Sequence, residues 1–182
     1  MRVIAGEYKG RKLQTPSDYA IRPTSDKVKE ALFSILQFEL PGAKVLDLFG
    51  GTGQLGIEAL SRGASRAVFV DSRREACQLI RSNLKKTHME QDAMVIQRDY
   101  MDYLNQCHEQ FRLILLDPPY AEVFLENSIK RITEIDILQS NGIIATERPL
   151  GKELPWEFPG FTRSKDYKYG QILLTFYRKN EE

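Results

Sequence analysis

The order of apolar and amphipathic segments is the feature of this sequence that most constrains its fold. Runs typical of buried strands, such as KVLDLF, RAVFVD and FRLILLD, alternate with segments such as SRREACQLIRSNLKK, in which apolar residues recur every three or four positions. Strands that alternate with helices favour a mostly parallel sheet with helices on both faces and right-handed connections. The chain is therefore predicted to be an α/β protein.

Both ends of the chain depart from this alternation. The closing segments FTRSKDYKY and QILLTFY are joined by Tyr169 and Gly170, a connection too short for parallel strands. At least one strand must therefore run in the opposite direction. The opening segment MRVIAGEYKGRKLQ alternates apolar and polar residues around Gly6 and Gly10, which predicts a small β-hairpin before the main fold.

Length and composition limit the class of protein. With 182 residues, 42% of them hydrophobic, we expect one domain over residues 1–182, with residues 1–20 as a hairpin extension and residues 21–182 as its core. No run is apolar for about 18 residues and no signal peptide is visible, so we expect a cytoplasmic protein. Two cysteines, Cys77 and Cys107, thirty residues apart, predict neither a disulfide framework nor a metal site.

A glycine-rich loop follows the first predicted strand. Gly51, Gly53 and Gly56 fit the G-x-G-x-x-G pattern of dinucleotide-binding turns. Asp47, however, precedes the loop, where a carboxylate would repel a pyrophosphate but attract the ammonium and sulfonium groups of S-adenosylmethionine. The pattern of Asp47, Phe49, Gly51 and Gly53 therefore favours this methyl donor over NAD. Gly56 is then predicted to allow close helix packing.

Three further predicted strands also end in an aspartate: Asp71, Asp99 and Asp117. In an open sheet, ligands bind at the carboxyl ends of the strands. A single aspartate at such a place commonly caps a helix or a turn. Asp71, however, lies 18 residues beyond Gly53, a suitable distance for a side chain that accepts hydrogen bonds from two ribose hydroxyls.

The fourth strand is followed by the motif DPPY. Pro118 and Pro119 fix the backbone and remove two N–H donors, so a carbonyl group remains to accept together with the carboxylate of Asp117. These acceptors suit both protons of a planar NH₂ group, and Tyr120 can stack on a base. Holding both protons favours the geometry in which the nitrogen lone pair attacks the methyl group in line. The catalytic candidates are Asp117, Pro118, Pro119 and Tyr120.

DLFGGTG followed by DPPY resembles the class I S-adenosylmethionine-dependent amino-methyltransferases. RVIAGEYKGRKL, RPTSDKVKEALF and LGIEALSRGA are similar to the bacterial 16S ribosomal RNA (guanine-966-N2) methyltransferase family, and this resemblance covers nearly the whole chain. It implies a Rossmann-like fold with a seven-stranded, mostly parallel sheet and one antiparallel strand. It also implies methylation of the N2 amine of a guanine in 16S rRNA, an assembled or nearly assembled small ribosomal subunit as substrate, and monomeric action.

The same resemblance assigns residues to the donor. It implies that Asp47, Gly51 and Gly53 contact its methionine portion, that Asp71 binds the ribose, and that Asp99 binds the adenine. Arg22 precedes the first predicted helix, and for its side chain a contact with the donor carboxylate and a contact with a phosphate remain equal alternatives. The donor-binding candidates are Asp47, Phe49, Gly51, Thr52, Gly53, Asp71, Asp99, Tyr100, Arg22 and Thr24, of which Thr24 is also a plausible helix N-cap.

Basic residues are concentrated in the predicted N-terminal hairpin, where Glu7 is the only acid among residues 1–12. Such a cluster is commonly a solvated face, but a hairpin without a catalytic role favours contacts with RNA phosphates. Lys168 and Tyr169, at a second hairpin, are further candidates, although an aromatic residue there also fits structural packing. Trp156 is expected in the core. The RNA-binding candidates are Arg2, Lys9, Arg11, Lys12, Lys168 and Tyr169.

Two other functions fit part of the sequence. The first is methylation of a different planar amine, such as adenine N6 in DNA or RNA or a glutamine side chain, because an acidic residue before PPY serves each of these. A chain of 182 residues leaves little room for a separate DNA-recognition domain. The second is an NAD-dependent oxidoreductase, for which no substrate domain is visible.

Overall fold

The computed structural model of the chain describes residues 1–16, 25–119 and 123–180. The helices are α1 (Asp26–Ile35), α2 (Gln54–Ser61), α3 (Arg74–Thr87), α4 (Tyr100–Asn105) and α5 (Val123–Ile135), and a 3-10 turn, Glu90–Asp92, follows α3. The strands are β1 (Lys44–Asp47), β2 (Arg66–Asp71), β3 (Ala93–Gln97), β4 (Phe111–Leu116), β5 (Leu138–Pro149), β6 (Glu157–Phe158), β7 (Phe161–Arg163), β8 (Tyr167–Tyr169) and β9 (Ile172–Lys179). Among the helices of these three ranges, none has the length and apolar character needed to cross a membrane.

All nine strands belong to one mixed sheet. Its order is β3-β2-β1-β4-β5-β9-β7-β6, and β8 pairs with β9. Strands β1 to β5 are parallel to one another, and β9 pairs antiparallel with β5. Because β1 lies between β2 and β4, the strand order reverses beside it, which is the usual place for a ligand crevice. The predicted α/β class with a mostly parallel sheet is confirmed, but within the described ranges the sheet has nine strands rather than seven.

The extra strands lie in the C-terminal part. The segment FTRSKDYKY, predicted as one strand, forms two strands, β7 and β8. Between them the side chain of Asp166 accepts hydrogen bonds from Arg148, Arg163 and Thr175, and this interrupts the strand. The short β6 pairs antiparallel with β7, so both β6 and β9 run against β1 to β5, and the expectation of one antiparallel strand is wrong. Trp156 is not in the core: it is 62% exposed, and the guanidinium group of Arg163 lies 4.3 Å from its ring centroid.

A separate hydrophobic core lies on each face of the sheet. On β1, Val45 faces the core formed with α1, α2 and α3, whereas Leu46 faces the core formed with α4 and α5. Helices therefore cover both faces, as predicted. Since side chains alternate along a strand, Asp47 lies on the same face as Val45.

The N-terminal residues form the predicted hairpin, with one antiparallel bridge between Arg2 and Lys12. The backbone N–H groups of Ile4 and Ala5 donate to the two carboxylate oxygens of Glu58 on α2, at 2.8 and 3.0 Å. Apolar hairpin residues belong to the core formed with α1, α2 and α3. The hairpin is thus packed against the main fold.

Candidate active site

A cavity of about 630 Å³ opens at the carboxyl edge of the parallel strands, next to the reversal of strand order. Its described lining includes the loop after β1, the ends of β2 and β5, the segment after β4 and the start of α4. The charged groups are five carboxylates and two guanidinium groups, so the cavity attracts cations and disfavours a pyrophosphate. These charged residues are Asp47, Asp71, Asp99, Asp117, Glu147, Arg73 and Arg98.

Asp47 is the most deeply buried of these carboxylates, with 1% of its surface exposed. Its Oδ2 accepts from the backbone N–H of Gly56 at 3.0 Å, while its Oδ1 is buried and has no hydrogen-bond partner among the described residues. Burial, and to a smaller extent the negative charge of Asp71, raises the pKa of Asp47 to about 7. A buried oxygen without a partner is a position where a ligand donor is stabilising.

The glycine loop has the backbone geometry that its sequence requires. Gly51 and Gly53 have positive φ angles of 57° and 79°, which favour glycine. A Cβ atom at Gly56 would lie only 2.2 Å from Cε1 of Phe69 on β2, so the predicted close helix packing is confirmed. Thr52, also in the loop, is buried and lines the cavity.

The carboxylate of Asp71 lies at the end of β2 and is held by four N–H groups. Its Oδ1 accepts from the backbone N–H and Nε of Arg73 at 3.0 and 3.1 Å. Its Oδ2 accepts from Gly51 N–H at 2.9 Å and from Nη2 of Arg73 at 3.1 Å. These four donors use the four lone pairs of the carboxylate. Two ribose hydroxyls could bind Asp71 only if the side chain of Arg73 moved away.

Asp99 begins α4 and has the ordinary role of a helix cap. Its Oδ1 accepts from the backbone N–H groups of Met101 and Asp102 at 2.8 and 3.3 Å. It also lines the cavity, beside the aromatic rings of Phe49, Tyr100 and Phe124. The ring centroid of Tyr100 lies 5.2 Å from that of Phe49 and 5.4 Å from that of Phe124, so these rings form an aromatic wall.

Asp117, Pro118 and Pro119 line the same cavity, directly after β4. Tyr120 lies outside the described residues, as do Arg22 and Thr24. The cap of α1 is Ser25 rather than Thr24, since Ser25 Oγ accepts from the backbone N–H of Val28 at 3.3 Å.

Glu147 at the end of β5 also lines the cavity and is absent from the sequence candidates. Leu116, the last residue of β4, pairs with Thr146 of β5, so Asp117 and Glu147 are the residues that directly follow this last pair. The sequence does hold a signal for Glu147: the segment GIIATE is a largely apolar run that ends in an acid, as the four predicted strands that end in an aspartate do.

The basic candidates lie apart from the cavity. The hairpin side chains are exposed, and Arg2 pairs with Asp26 at 3.4 Å while Arg11 donates to the carbonyl of Lys86 at 3.0 Å. Lys168 is exposed, but Tyr169 is half-buried and packs against the core; its strand partner, Ile172, lines the cavity. The exposed hairpin candidates are Arg2, Lys9, Arg11 and Lys12.

Known protein families and solved structures resemble this chain over most of its length. Residues 1–178 match the family described as conserved hypothetical protein 95. The ribosomal RNA small subunit methyltransferase D of Escherichia coli is 31% identical over 182 residues, covering 100% of this chain and 91% of that protein. The protein of the same name from Haemophilus influenzae is 37% identical, covering 85% and 81%.

The solved structure of yhhF from Escherichia coli has a TM-score of 0.90 at 29% identity and covers 100% of this chain and 99% of that chain. The family match and the two Escherichia coli proteins therefore extend over nearly the whole chain, including the hairpin and the cavity. The chain belongs to the conserved hypothetical protein 95 family, the family of the ribosomal RNA small subunit methyltransferase D proteins.

Proposed function

We propose that this chain transfers a methyl group from S-adenosylmethionine to the N2 amine of a guanine in the 16S rRNA of the small ribosomal subunit. The observation that carries this proposal is one cavity that combines the unpaired oxygen of Asp47 with the Asp117-Pro118-Pro119 segment. Relatives matched over most of their length are named ribosomal RNA small subunit methyltransferases, which favours an rRNA substrate.

The residues of the cavity fit the chemical groups of the donor. When bound, the donor supplies a methyl group activated by a positively charged sulfur. The unpaired Oδ1 of Asp47 is suited to accept from an ammonium group, and the excess of carboxylates suits a ligand with two cationic centres. Asp71 is proposed to accept from the ribose hydroxyls after Arg73 has moved, and Phe49 and Tyr100 to pack against the adenine ring.

The DPPY segment is proposed to hold the target amine. The carboxylate of Asp117 and the carbonyl of Pro118 would each accept a hydrogen bond from one of its two N–H groups and direct the nitrogen lone pair toward the methyl group. The amine becomes more acidic as the new N–C bond forms, so a charged acceptor at Asp117 stabilises the transition state more than the ground state. Tyr120 is proposed to stack on the base.

The remaining assignments concern the substrate and the organisation of the chain. We propose that the target guanine is presented by an assembled or nearly assembled small subunit and that the protein acts as a monomer. Residues 1–20 and 21–182 are proposed to act as one domain, in which the exposed basic side chains of the hairpin bind RNA phosphates.

The test is single-turnover methylation of small subunits from a strain that lacks this protein, with N2-methylguanosine measured by mass spectrometry of the 16S rRNA. The Asp117→Ala variant is expected to lose at least about a hundredfold in rate with nearly unchanged donor affinity by calorimetry. Asp102→Ala, at an exposed position of α4 outside the cavity lining, is the matched control. An unchanged rate in Asp117→Ala, or tight binding of NAD, would contradict the proposal.

A further inference from the structure

Glu147 is not among the site residues that the sequence predicts, yet it lines the same cavity as Asp117, which is proposed to hold the target amine. Each of these two residues directly follows a member of the last Cα pair between β4 and β5, Leu116 with Thr146. Neighbouring strands of a sheet lie about 5 Å apart. On both strands the odd-numbered side chains, such as Leu115 and Ala145, face the core formed with α1, α2 and α3. By this alternation Asp117 and Glu147 lie on the same face of the sheet, as Asp47 does.

A second carboxylate beside Asp117 is informative because planar amines differ in what lies next to the NH₂ group. In guanine the N2 amine is next to the ring N1–H, so three N–H donors lie in a row. In adenine and cytosine the ring nitrogen beside the amine is an acceptor, and in glutamine the neighbouring group is a carbonyl. A carboxylate accepts but does not donate, so it binds a neighbouring N–H and repels a neighbouring lone pair.

The geometry points to Glu147 as the residue that selects guanine, by accepting a hydrogen bond from its N1–H while Asp117 and the carbonyl of Pro118 hold the N2 amine. This inference rests on the proposed function and adds to it the basis of base choice. Adenine N6, cytosine N4 and a glutamine amide would each direct a lone pair at the Glu147 carboxylate. The two open alternatives of the sequence, adenine and glutamine methylation, are therefore disfavoured by this one residue.

The test changes the contact from both sides. On the base, the N1–H donor is replaced by a lone pair; on the protein, the Glu147 carboxylate is replaced by an amide that can donate. Small subunits are reconstituted with 16S rRNA that carries either guanine or 2-aminopurine at the methylated position. 2-Aminopurine keeps the amine but has a lone pair at N1. The wild-type protein is expected to methylate guanine about tenfold to a hundredfold faster in single turnover, the scale for a base-discriminating contact. Glu147→Gln, whose amide can donate to N1, is expected to narrow or reverse this ratio.

Two further variants complete the design. Glu147→Ala removes the acceptor without supplying a donor. Its rate on guanine is expected to fall, so that the ratio of the guanine rate to the 2-aminopurine rate approaches one. Glu153→Gln, at an exposed position outside the cavity lining, is expected to keep the wild-type ratio. The guanine and 2-aminopurine rates of every variant are measured at saturating S-adenosylmethionine, so that a change in donor affinity does not alter their ratio.

Each outcome distinguishes this inference from the proposed function. A wild-type protein that methylates guanine, with variants that keep its preference, would overturn the role of Glu147 and leave the proposed function intact. Equal loss of both rates in both variants would overturn it as well, because the residue would then act on something other than the ring N1–H. A wild-type protein with no activity on guanine-bearing subunits would overturn both.

Discussion

At the scale of single residues, Asp47 combines burial with an unused acceptor oxygen. Burial raises its pKa to about 7, so near neutral pH its charge depends on what occupies the cavity. An ammonium group at Oδ1 would favour the ionised form and lower this pKa, and donor binding would then release a proton below about pH 7. The sequence could predict the position of Asp47 from its place at a strand end, but its protonation depends on burial that only the folded chain shows.

This linkage predicts that donor affinity rises roughly tenfold between pH 6 and pH 8, because the ionised fraction of a group with a pKa near 7 changes by that factor. The pH dependence of folding stability has the opposite sign to that of donor affinity. The folded pKa of about 7 exceeds the ordinary value of 3.8, so the native state binds more protons between these values, and ionisation of Asp47 lowers stability as pH rises toward 7.

Calorimetry in two buffers of different ionisation enthalpy, at pH 6.5, measures the released proton directly. Asp47→Asn should abolish the release and flatten the pH dependence of affinity. Asp99→Asn is the comparison within the same cavity, because the carboxylate of Asp99 already caps α4. Equal proton release in Asp47→Asn and the wild type would show that another group titrates.

At the scale of elements, the prediction of the sheet was right where local pattern decides structure and wrong where long-range contacts decide it. The parallel strands, α2 and α3 follow from apolar runs and helical periodicity. The break between β7 and β8 does not, because it depends on Asp166 accepting from Arg148, which is distant in sequence. The brief helix α4, capped by Asp99, was missed because six residues are too few for periodicity to show.

The contact between α2 and β2 gives a prediction about stability. A methyl group at Gly56 would meet the buried ring of Phe69, so Gly56→Ala is expected to destabilise the fold by about 1–3 kcal/mol, as overpacking does. Phe69→Leu replaces the ring with a smaller side chain and so makes room for the new methyl group. The double variant Gly56→Ala/Phe69→Leu is therefore expected to lose less free energy of unfolding than the sum of the two single variants. Urea unfolding of the wild type and the three variants measures this coupling, and simple additivity would contradict the contact.

At the scale of the whole molecule, a buried network holds the hairpin against the main fold. Glu58 accepts from the backbone of the hairpin and forms ion pairs with Lys29 at 3.6 Å and Arg62 at 2.8 Å. Lys29, fully buried, also donates to the carbonyl of Arg2 at 2.6 Å. Burial lowers the pKa of Lys29, and Glu58 opposes that shift. This network fixes the hairpin beside the glycine loop, where Met1 Sδ lies 3.6 Å from Thr52 Oγ1.

In this position the hairpin exposes its basic side chains to solvent. Among the described residues, the first that lines the cavity is Ser25, so no residue of the described hairpin belongs to the lining. Binding of RNA and of donor should therefore be separable. In a variant with Lys9, Arg11 and Lys12 all changed to Ala, three lost phosphate contacts should flatten the slope of log affinity against log salt by roughly 2 to 3. The measurement is binding of small subunits across a salt series, with donor affinity expected to stay at its wild-type value.

A matched control replaces three exposed basic residues that lie outside the hairpin: Lys130, Lys165 and Arg178. Arg178 pairs with Glu39 at 3.2 Å. Replacement of all three by Ala should leave the salt slope within error of the wild type, because none belongs to the hairpin. If instead the hairpin variant kept the full slope and the full affinity for subunits, the hairpin would not dock RNA. The contacts would then have to come from the segment after β4 and from Lys168, and the attachment of the hairpin through Glu58 would serve only to hold it beside the glycine loop.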